Sequence, residues 1–327
     1  MTDHLPLDLT PSILRNLNAR TLYRGDILFP CIPAACGAYV SHLDTLMRNF
    51  GQAFVPEELE QLSTLLLTAM SQGYAQSPNA QIVFHYEVKG TAQLQKTIAC
   101  EISLVLPSLG EQYDTWYRME DASPLFGGVA DAKVLAVLAE LLPIETTGME
   151  RPRVLDIGAG DGRNAIPIAQ KNYQVDAVDL TPELTAELKR KVAQIQLEPR
   201  LKAFAADLLD PAISFQTDCY DLVFLSEVTS HFRSVDELRQ MFLKVSACLK
   251  PGRYLLFNCF LAKEGFEPDD MAVEMSQIAW SSLFLRSQLE AAQTDLPLRL
   301  ISDESAIEYE RSHLLQNTGP LPRGTSK

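Results

Sequence analysis

One stretch of eleven residues constrains this chain most, because it joins an apolar strand to a helix through a glycine-rich turn. It is VLDIGAGDGRN and spans residues 154–164. Glycine at alternate positions lets the backbone turn sharply and lets a ligand approach the bare main chain. The N-terminus of the following helix then offers unpaired N–H groups. Strand–turn–helix units of this kind hold nucleotide-like cofactors at the carboxyl ends of parallel strands.

The spacing of the glycines separates two classes of cofactor. A dinucleotide-binding turn has the pattern G-x-G-x-x-G, but Arg163 occupies the position where its third glycine would fall. This disfavours an NAD-dependent oxidoreductase. The pattern is instead G-x-G-x-G with Asp156 just before it, and it resembles motif I of the class I S-adenosylmethionine-dependent methyltransferases.

The region after residue 150 alternates short apolar strands with amphipathic helices, which predicts a parallel sheet with helices on both faces. Acidic residues mark the ends of the first three strands, namely Asp156, Asp179 and Asp207. A carboxylate about 20 positions beyond the glycine turn can accept hydrogen bonds from ribose hydroxyls. The last two apolar segments, 296–301 and 306–311, are predicted to form a terminal β-hairpin.

This combination of features is similar to the complete class I methyltransferase pattern over residues 150–312. The resemblance implies a Rossmann-like, mostly parallel sheet of seven strands that ends in the hairpin, with S-adenosylmethionine as cofactor. The residues after the fourth strand are not N/D-P-P-Y/F, which disfavours the amino-methylating DNA enzymes. The resemblance also implies a cofactor site made of Asp156, Gly158, Ala159, Gly160 and Asn164 around the methionine end, Asp179 and Leu180 at the ribose, Asp207 and Leu208 at the adenine edge, and Ser226 facing the sulfonium.

Three side chains are candidates for the catalytic, acceptor-facing part of the site. Glu227 and His231 follow the fourth strand and are four positions apart, so one helical turn would direct both toward the pocket. Tyr117 lies in an aromatic segment before the glycine turn, where many family members place a tyrosine-bearing helix over cofactor and substrate. Each has a structural alternative: Glu227 binds solvent or an arginine, His231 caps or packs, and the aromatic segment packs two domains together.

The first 125 residues have a different character and predict a smaller α+β domain. Helical spacing occurs near 38–50 and 57–72, and alternation at 82–88 and 98–106 indicates a β-hairpin. Residues 1–30 are predicted to be irregular, because Pro6, Pro11 and Pro30 interrupt short apolar pieces. His85 is expected to be structural. We therefore expect a substrate-lid or dimerisation region at 1–125, the methyltransferase domain at 126–315 and a flexible tail at 316–327, with the loop at 262–270 joining the lid.

The composition of this 327-residue chain limits the kinds of partner that we expect it to bind. Its net charge of −14 disfavours nucleic acid, since affinity for nucleic acid depends on neutralising phosphates. No apolar run approaches the roughly 20 residues of a membrane span, and the start does not resemble a signal peptide. We expect a cytoplasmic protein with reduced cysteines, no metal and no membrane partner, in which a homodimer is left open.

The function predicted from the sequence is in-line methyl transfer from S-adenosylmethionine to a small-molecule acceptor. Such a reaction needs mainly alignment and the exclusion of water. A general base is needed only for a poorly acidic hydroxyl or a protonated amine. The alternative from another functional class is a non-catalytic module that binds S-adenosylmethionine and scaffolds a partner.

Overall fold

The computed structural model describes residues 21–89, 97–108, 110–112, 128–144 and 150–314. The chain forms two compact units: Met1–Leu109 with Asp269–Ile278, and Gly110–Pro268 with Ala279–Lys327. No helix in the described ranges has the length and apolar character needed to cross a membrane. The candidate Tyr117 and the predicted tail at 316–327 lie outside the described residues.

The first unit is built on a three-stranded antiparallel sheet in the order β1-β2-β3. Alternate residues such as Phe29, Ile82 and Phe84 are buried and pack in one cluster with residues of the two long helices. The elements are β1 (Thr21–Pro30), α1 (Cys36–Asn49), α2 (Pro56–Gln76), β2 (Gln81–Lys89) and β3 (Thr97–Val105).

The structure confirms the two predicted helices and the predicted hairpin in this unit, but it contradicts the irregular assignment of residues 21–30. These residues form strand β1, which pairs with β2 along its whole length. Ile27 and Phe29 supply the inward-facing alternation. Pro30 is the last residue of the strand, where the lack of an N–H donor is tolerated.

A polar set lies across the three strands of this sheet and involves His85. Its Nδ1 is 2.7 Å from Asp26 Oδ1, and its Nε2 is 2.9 Å from Ser103 Oγ. Asp26 is on β1, His85 on β2 and Ser103 on β3. The three side chains therefore link the strands, in agreement with a structural role for His85.

A helix from the far end of the sequence belongs to the first unit. This helix, α7, spans Asp270–Ile278. The Tyr74 hydroxyl donates to Gln277 Oε1 at 2.6 Å, and the Ala34 N–H donates to Glu274 Oε2 at 2.9 Å. The apolar residues Met275, Ile278, Trp280, Leu283 and Phe284 alone would predict a helix that continues to Phe284. The helix instead ends at Ile278, because Trp280 has φ = 54°, a conformation that no α-helix can contain.

The second unit contains a five-stranded, all-parallel sheet in the order β6-β5-β4-β7-β8. Its strands are β4 (Arg153–Ile157), β5 (Gln174–Asp179), β6 (Leu201–Ala205), β7 (Tyr220–Leu225) and β8 (Leu249–Phe257), with a two-stranded pair β9 (Phe260–Leu261) and β10 (Leu283–Phe284) outside the sheet. Its helices are α3 (Ala132–Leu141), α4 (Ala165–Gln170), α5 (Pro182–Gln194), α6 (Val235–Cys248), α8 (Arg286–Gln293) and α9 (Ala306–Leu314).

The interior strand β7 is buried at all six positions, as expected for a parallel strand that helices cover on both faces. Alternate residues of β7 pack into two separate hydrophobic cores. Leu222 and Phe224 pack in one cluster with α3 and α5, whereas Val223 and Leu225 pack in the other with α6. The predicted mixed α/β fold with a central parallel sheet is confirmed.

The predicted terminal hairpin is wrong, and the described sheet has five strands rather than seven. Residues 296–301 form no strand, and Ala306–Leu314 is helix α9. Pro297 lacks the N–H that a strand position in a ladder would donate. Ser305 starts the helix, because its hydroxyl accepts the Glu308 N–H at 3.3 Å in the manner of an N-cap.

Candidate active site

The glycine turn after β4 has a backbone that only glycine accommodates easily. Gly158 has φ = 76° and Gly160 has φ = 55°, both in the left-handed region that other residues rarely adopt. A Cβ atom on Gly158 would lie 2.2 Å from Val228 Cγ2. The loop after β7 therefore lies directly against the turn, and the sequence cannot carry a larger residue there without displacing it.

Asp156 is the buried carboxylate at the end of β4, with 1% of its surface exposed. Its Oδ2 has no hydrogen-bond partner within the described part of the chain. Burial raises the pKa of this carboxyl well above its ordinary value, and the nearby Arg163 guanidinium opposes that rise. A buried polar atom without a partner is costly, so this oxygen is suited to a bound donor group.

Asp179 ends the neighbouring strand β5 and ties it to the glycine turn. Its Oδ2 accepts the Gly160 N–H at 2.7 Å, and its Oδ1 accepts the Thr181 N–H at 2.8 Å. Burial raises the pKa of this carboxyl, while the backbone hydrogen bonds lower it. Each carboxylate oxygen has a second lone pair, so Asp179 retains acceptor capacity toward a ligand.

The residues predicted to lie at the adenine edge, Asp207 and Leu208, follow strand β6, the next strand along. The Ala206 N–H donates to the Asp179 carbonyl at 2.8 Å, which places the segment beginning with Asp207 beside the end of β5. Asp207 is exposed and its Oδ1 accepts the Leu209 N–H at 2.8 Å. Leu208 is buried, whereas Leu180 is 38% exposed. The parallel register thus brings the predicted cofactor residues to one edge of the sheet.

The structure adds two residues to this edge that the sequence did not identify as partners, Asp131 and Arg163. The Arg163 guanidinium forms an ion pair with the Asp131 carboxylate, and the side chains are 10% and 17% exposed. The Ser226 hydroxyl donates to Asp131 Oδ2 at 2.5 Å, and Arg163 Nη2 lies 3.3 Å from Ser226 Oγ. In the sequence, Arg163 was notable only because it stands where a third glycine would fall. No pattern in the sequence pointed to Asp131.

Asn164 belongs to the same cluster. Its Oδ1 accepts the Asp131 N–H at 2.8 Å, and its Nδ2 donates to Asp131 Oδ2 at 3.0 Å. Asn164 is 5% exposed. Its amide is therefore engaged with Asp131, and the cluster joins the start of α3 to the start of α4 and the end of β7.

Glu227 has an unusual backbone conformation at the end of β7. Its φ is 62°, and its N–H donates to Asn258 Oδ1 at 2.8 Å. Burial raises the pKa of the Glu227 carboxyl, Arg163 opposes the rise and Asp131 adds to it. Backbone strain of this kind is concentrated at functional sites, and Asn258 is a support for it that the sequence did not reveal.

His231 does not share a regular helical turn with Glu227, so that expectation is wrong. Glu227 has a left-handed φ, and only Thr229–His231 form a short 3-10 turn. Burial lowers the pKa of His231 to about 4. The centres of the His231 and Trp280 rings are 5.7 Å apart, which favours packing for the imidazole.

Residues 154–252 match the family described as a methyltransferase domain. This stretch of the chain is similar to methyltransferase domains. It contains the glycine turn, Asp179, Asp207 and Glu227. The match agrees with the predicted resemblance to the methyltransferases over these residues.

Relatives of the methyltransferase domain cover parts of the chain. An uncharacterized protein of Mycobacterium tuberculosis is 33% identical over 158 residues, which are 46% of this chain and 52% of that protein. YqeM of Bacillus subtilis is 25% identical over 183 residues, 54% of this chain and 72% of that protein. The chain thus spans about half the length of the mycobacterial relative.

A solved structure of geranyl diphosphate methyltransferase in complex with S-adenosylmethionine is 16% identical to this chain. The superposition has a TM-score of 0.46 and covers 59% of this chain and 75% of that one.

Proposed function

We propose that this protein is an S-adenosylmethionine-dependent methyltransferase that transfers a methyl group in line to a small-molecule acceptor. The observation that carries the proposal is the Asp156 carboxylate, buried at a glycine turn of a methyltransferase domain with one oxygen free of partners among the described residues. Such an oxygen suits a cationic donor, and the ammonium at the methionine end of the cofactor is one.

The residues present fit the rest of the cofactor. Asp179 accepts two backbone N–H groups and a hydrogen bond from the Thr181 side chain, and its remaining acceptor capacity suits a ribose hydroxyl. Asp207 has an oxygen available for an adenine amino group, since only its Oδ1 accepts the Leu209 N–H. Leu180 and Leu208 supply apolar surface beside these carboxylates. The acidic character of the edge also balances the positive sulfonium.

In-line methyl transfer requires the acceptor, the methyl group and the sulfur to be aligned, and it needs no further chemical steps. When bound, S-adenosylmethionine supplies a methyl group that the sulfonium already activates. The chain then has to orient the acceptor and keep water out. Val228 packs against the glycine turn, and Ser226 is fixed by Asp131. The loop after β7 is therefore held in place where we expect the acceptor to approach.

Glu227 is the better candidate for a general base. Its pKa is raised by burial, so its carboxylate takes a proton more readily than a free glutamate. His231, with a pKa of about 4, is neutral near pH 7 and only a weak base. We assign Glu227 the removal of a proton from an acceptor hydroxyl or amine, and His231 a packing role. Tyr117 remains a prediction from the sequence.

The selection of the acceptor by the first 125 residues is also a proposal. It rests on the separate fold of that unit and on the absence, in the glycine turn, of any residue pattern that indicates a particular methyl acceptor. The cytoplasmic location, the absence of nucleic-acid and membrane partners and a homodimer remain predictions from the sequence.

The test is methyl transfer from labelled S-adenosylmethionine into metabolite extracts, followed by mass spectrometry of labelled products. We expect a labelled small molecule with the wild-type protein. Glu227→Gln should bind the cofactor normally and form at least about tenfold less product, because loss of a general base costs 10²–10⁴-fold in typical enzymes. Cofactor binding without any labelled product, unchanged by this substitution, would instead support the non-catalytic scaffold.

A further inference from the structure

The N-terminus of helix α3 has an unusual capping arrangement. Asp131 is its N-cap residue, with φ = −62° and ψ = 126°, and aspartate is among the best N-cap residues. Its side chain nevertheless makes no capping hydrogen bond to the first turn of α3. Its carboxylate is directed instead to Arg163, Asn164 and Ser226.

A carboxylate from the last described helix takes over the capping. Glu310 Oε2 accepts the Ala132 N–H at 2.9 Å, and Glu310 Oε1 accepts the Lys133 N–H at 3.0 Å. Lys133 also pairs with Glu304 and lies 4.5 Å from the centre of the Tyr309 ring. Helix α9, which stands where the sequence predicted a β-strand, is therefore docked on the start of α3.

We propose that Glu310 is a positioning residue for the cofactor site, because it caps α3 and so releases Asp131 to hold Arg163 beside the glycine turn. This inference rests on the proposed function only for its effect on the cofactor. One carboxylate cannot satisfy both sets of donors. The first N–H groups of a helix need an acceptor, and with Glu310 removed the side chain of the N-cap residue, Asp131, is the one that normally supplies it.

The consequence reaches the glycine turn through two short steps. Arg163 follows Gly162 directly, and Asn164 is the N-cap residue of α4. Asp131 is the ion-pair partner of Arg163 and the acceptor of the Asn164 side-chain N–H. If Asp131 turns back to cap α3, the guanidinium keeps, among the described residues, only the longer contacts to Val129 O at 3.4 Å and Ser226 Oγ at 3.3 Å. The Asn164 amide loses its acceptor, and the backbone between Gly158 and Asn164 becomes freer to move.

The first test uses hydrogen exchange of the protein without cofactor. Glu310→Ala should speed amide exchange at residues 158–165 by about five- to tenfold, the equivalent of one lost helix cap. Glu310→Gln, which keeps one acceptor, should show a smaller change, and Glu310→Asp should restore part of the protection. Glu308→Ala is the matched control on the same helix, since Glu308 is exposed, and it should leave the turn unchanged.

The second test asks whether Asp131 carries the effect. In an Asp131→Asn background, Glu310→Ala should add nothing at residues 158–165. Calorimetry with S-adenosylhomocysteine should show a roughly fivefold to tenfold weaker Kd for Glu310→Ala alone. Exchange changes confined to the starts of α3 and α9, with the glycine turn and the Kd unchanged, would overturn the inference. If the turn responds but wild-type protein binds no S-adenosylhomocysteine, the positioning role stands and the proposed function fails.

Discussion

The Asp179 carboxylate accepts the Gly160 N–H at 2.7 Å and so joins the end of β5 to the glycine turn that follows β4. The two residues are 19 positions apart, and the contact is buried. It explains how a turn made of flexible residues keeps one conformation. It also orients the carboxylate that we assign to the ribose, because its other oxygen is fixed by Thr181.

Replacing Asp179 by alanine should weaken the binding of S-adenosylmethionine by roughly 1–3 kcal/mol, the cost of losing hydrogen bonds from a buried charged group. Isothermal titration calorimetry measures this directly. Asp210→Ala is a suitable control, because Asp210 also accepts one local N–H, from Ala212 at 2.9 Å, but has no assigned cofactor contact. Equal dissociation constants for wild type and Asp179→Ala would contradict the ribose assignment.

Gly158→Ala should be more destabilising than Gly252→Ala, although both glycines have nearly the same φ, 76° and 74°. An alanine at either position has a strained backbone. At Gly158 its Cβ also meets Val228 Cγ2, whereas nothing lies within 4 Å at Gly252. We expect the extra cost to be about 1–3 kcal/mol in the free energy of unfolding.

Chemical denaturation of the two variants gives that difference, and Gly158→Ala combined with Val228→Ala should recover part of it. A Gly158→Ala variant as stable as Gly252→Ala would show that the loop after β7 does not press on the turn.

His231 should make the protein less stable in acid. Its pKa is lowered from 6.5 to about 4 in the folded state, so the unfolded chain binds a proton first as the pH falls. Its contribution is complete above pH 6.5 and is lost progressively toward pH 4. Between pH 7 and 5 the loss should be about 1–2 kcal/mol.

The measurement compares the free energy of unfolding of wild type and His231→Gln at both pH values. The comparison is needed because Asp156 and Glu227, whose pKa values are raised by burial, contribute in the opposite direction. The same pH dependence in both proteins would mean that the imidazole is solvated.

The rate of methyl transfer should fall at acid pH, because Glu227 must be deprotonated to act as the general base. Burial raises its pKa above the ordinary 4.5, and a general base acts only when it is deprotonated. The rate should therefore fall as the pH drops through the raised pKa, at a pH higher than a free glutamate would give. A pH–rate profile with the acceptor from the extract screen checks this. Glu227→Gln should have a lower rate, and that rate should not fall over the same pH range.

The glycine turn could be predicted from sequence because its signals are local. A buried strand, positive-φ glycines and a helix start lie within eleven residues, and Asp179 follows at the expected distance. The parallel sheet followed from the same strand–helix alternation. The β-hairpin of the first unit was predictable for a similar reason, since its two strands are neighbours in the chain.

The errors have identifiable physical causes. Ile307, Tyr309 and Arg311 alternate as in a strand, but Ser305 caps a helix there. Glu310 on that helix accepts the N–H groups of two residues of α3, which lie 177 and 178 positions away in the sequence. A tertiary contact at that separation leaves no pattern in one sequence. The same holds for Asp131, which meets Ser226 across 95 positions.

The most direct test of the central claim is calorimetric titration of the full chain with S-adenosylhomocysteine and, separately, with NAD. We expect S-adenosylhomocysteine to bind at one site, Asp179→Ala to weaken that binding, and NAD not to bind. Binding of NAD with no binding of S-adenosylmethionine or S-adenosylhomocysteine would contradict the assignment as a methyltransferase.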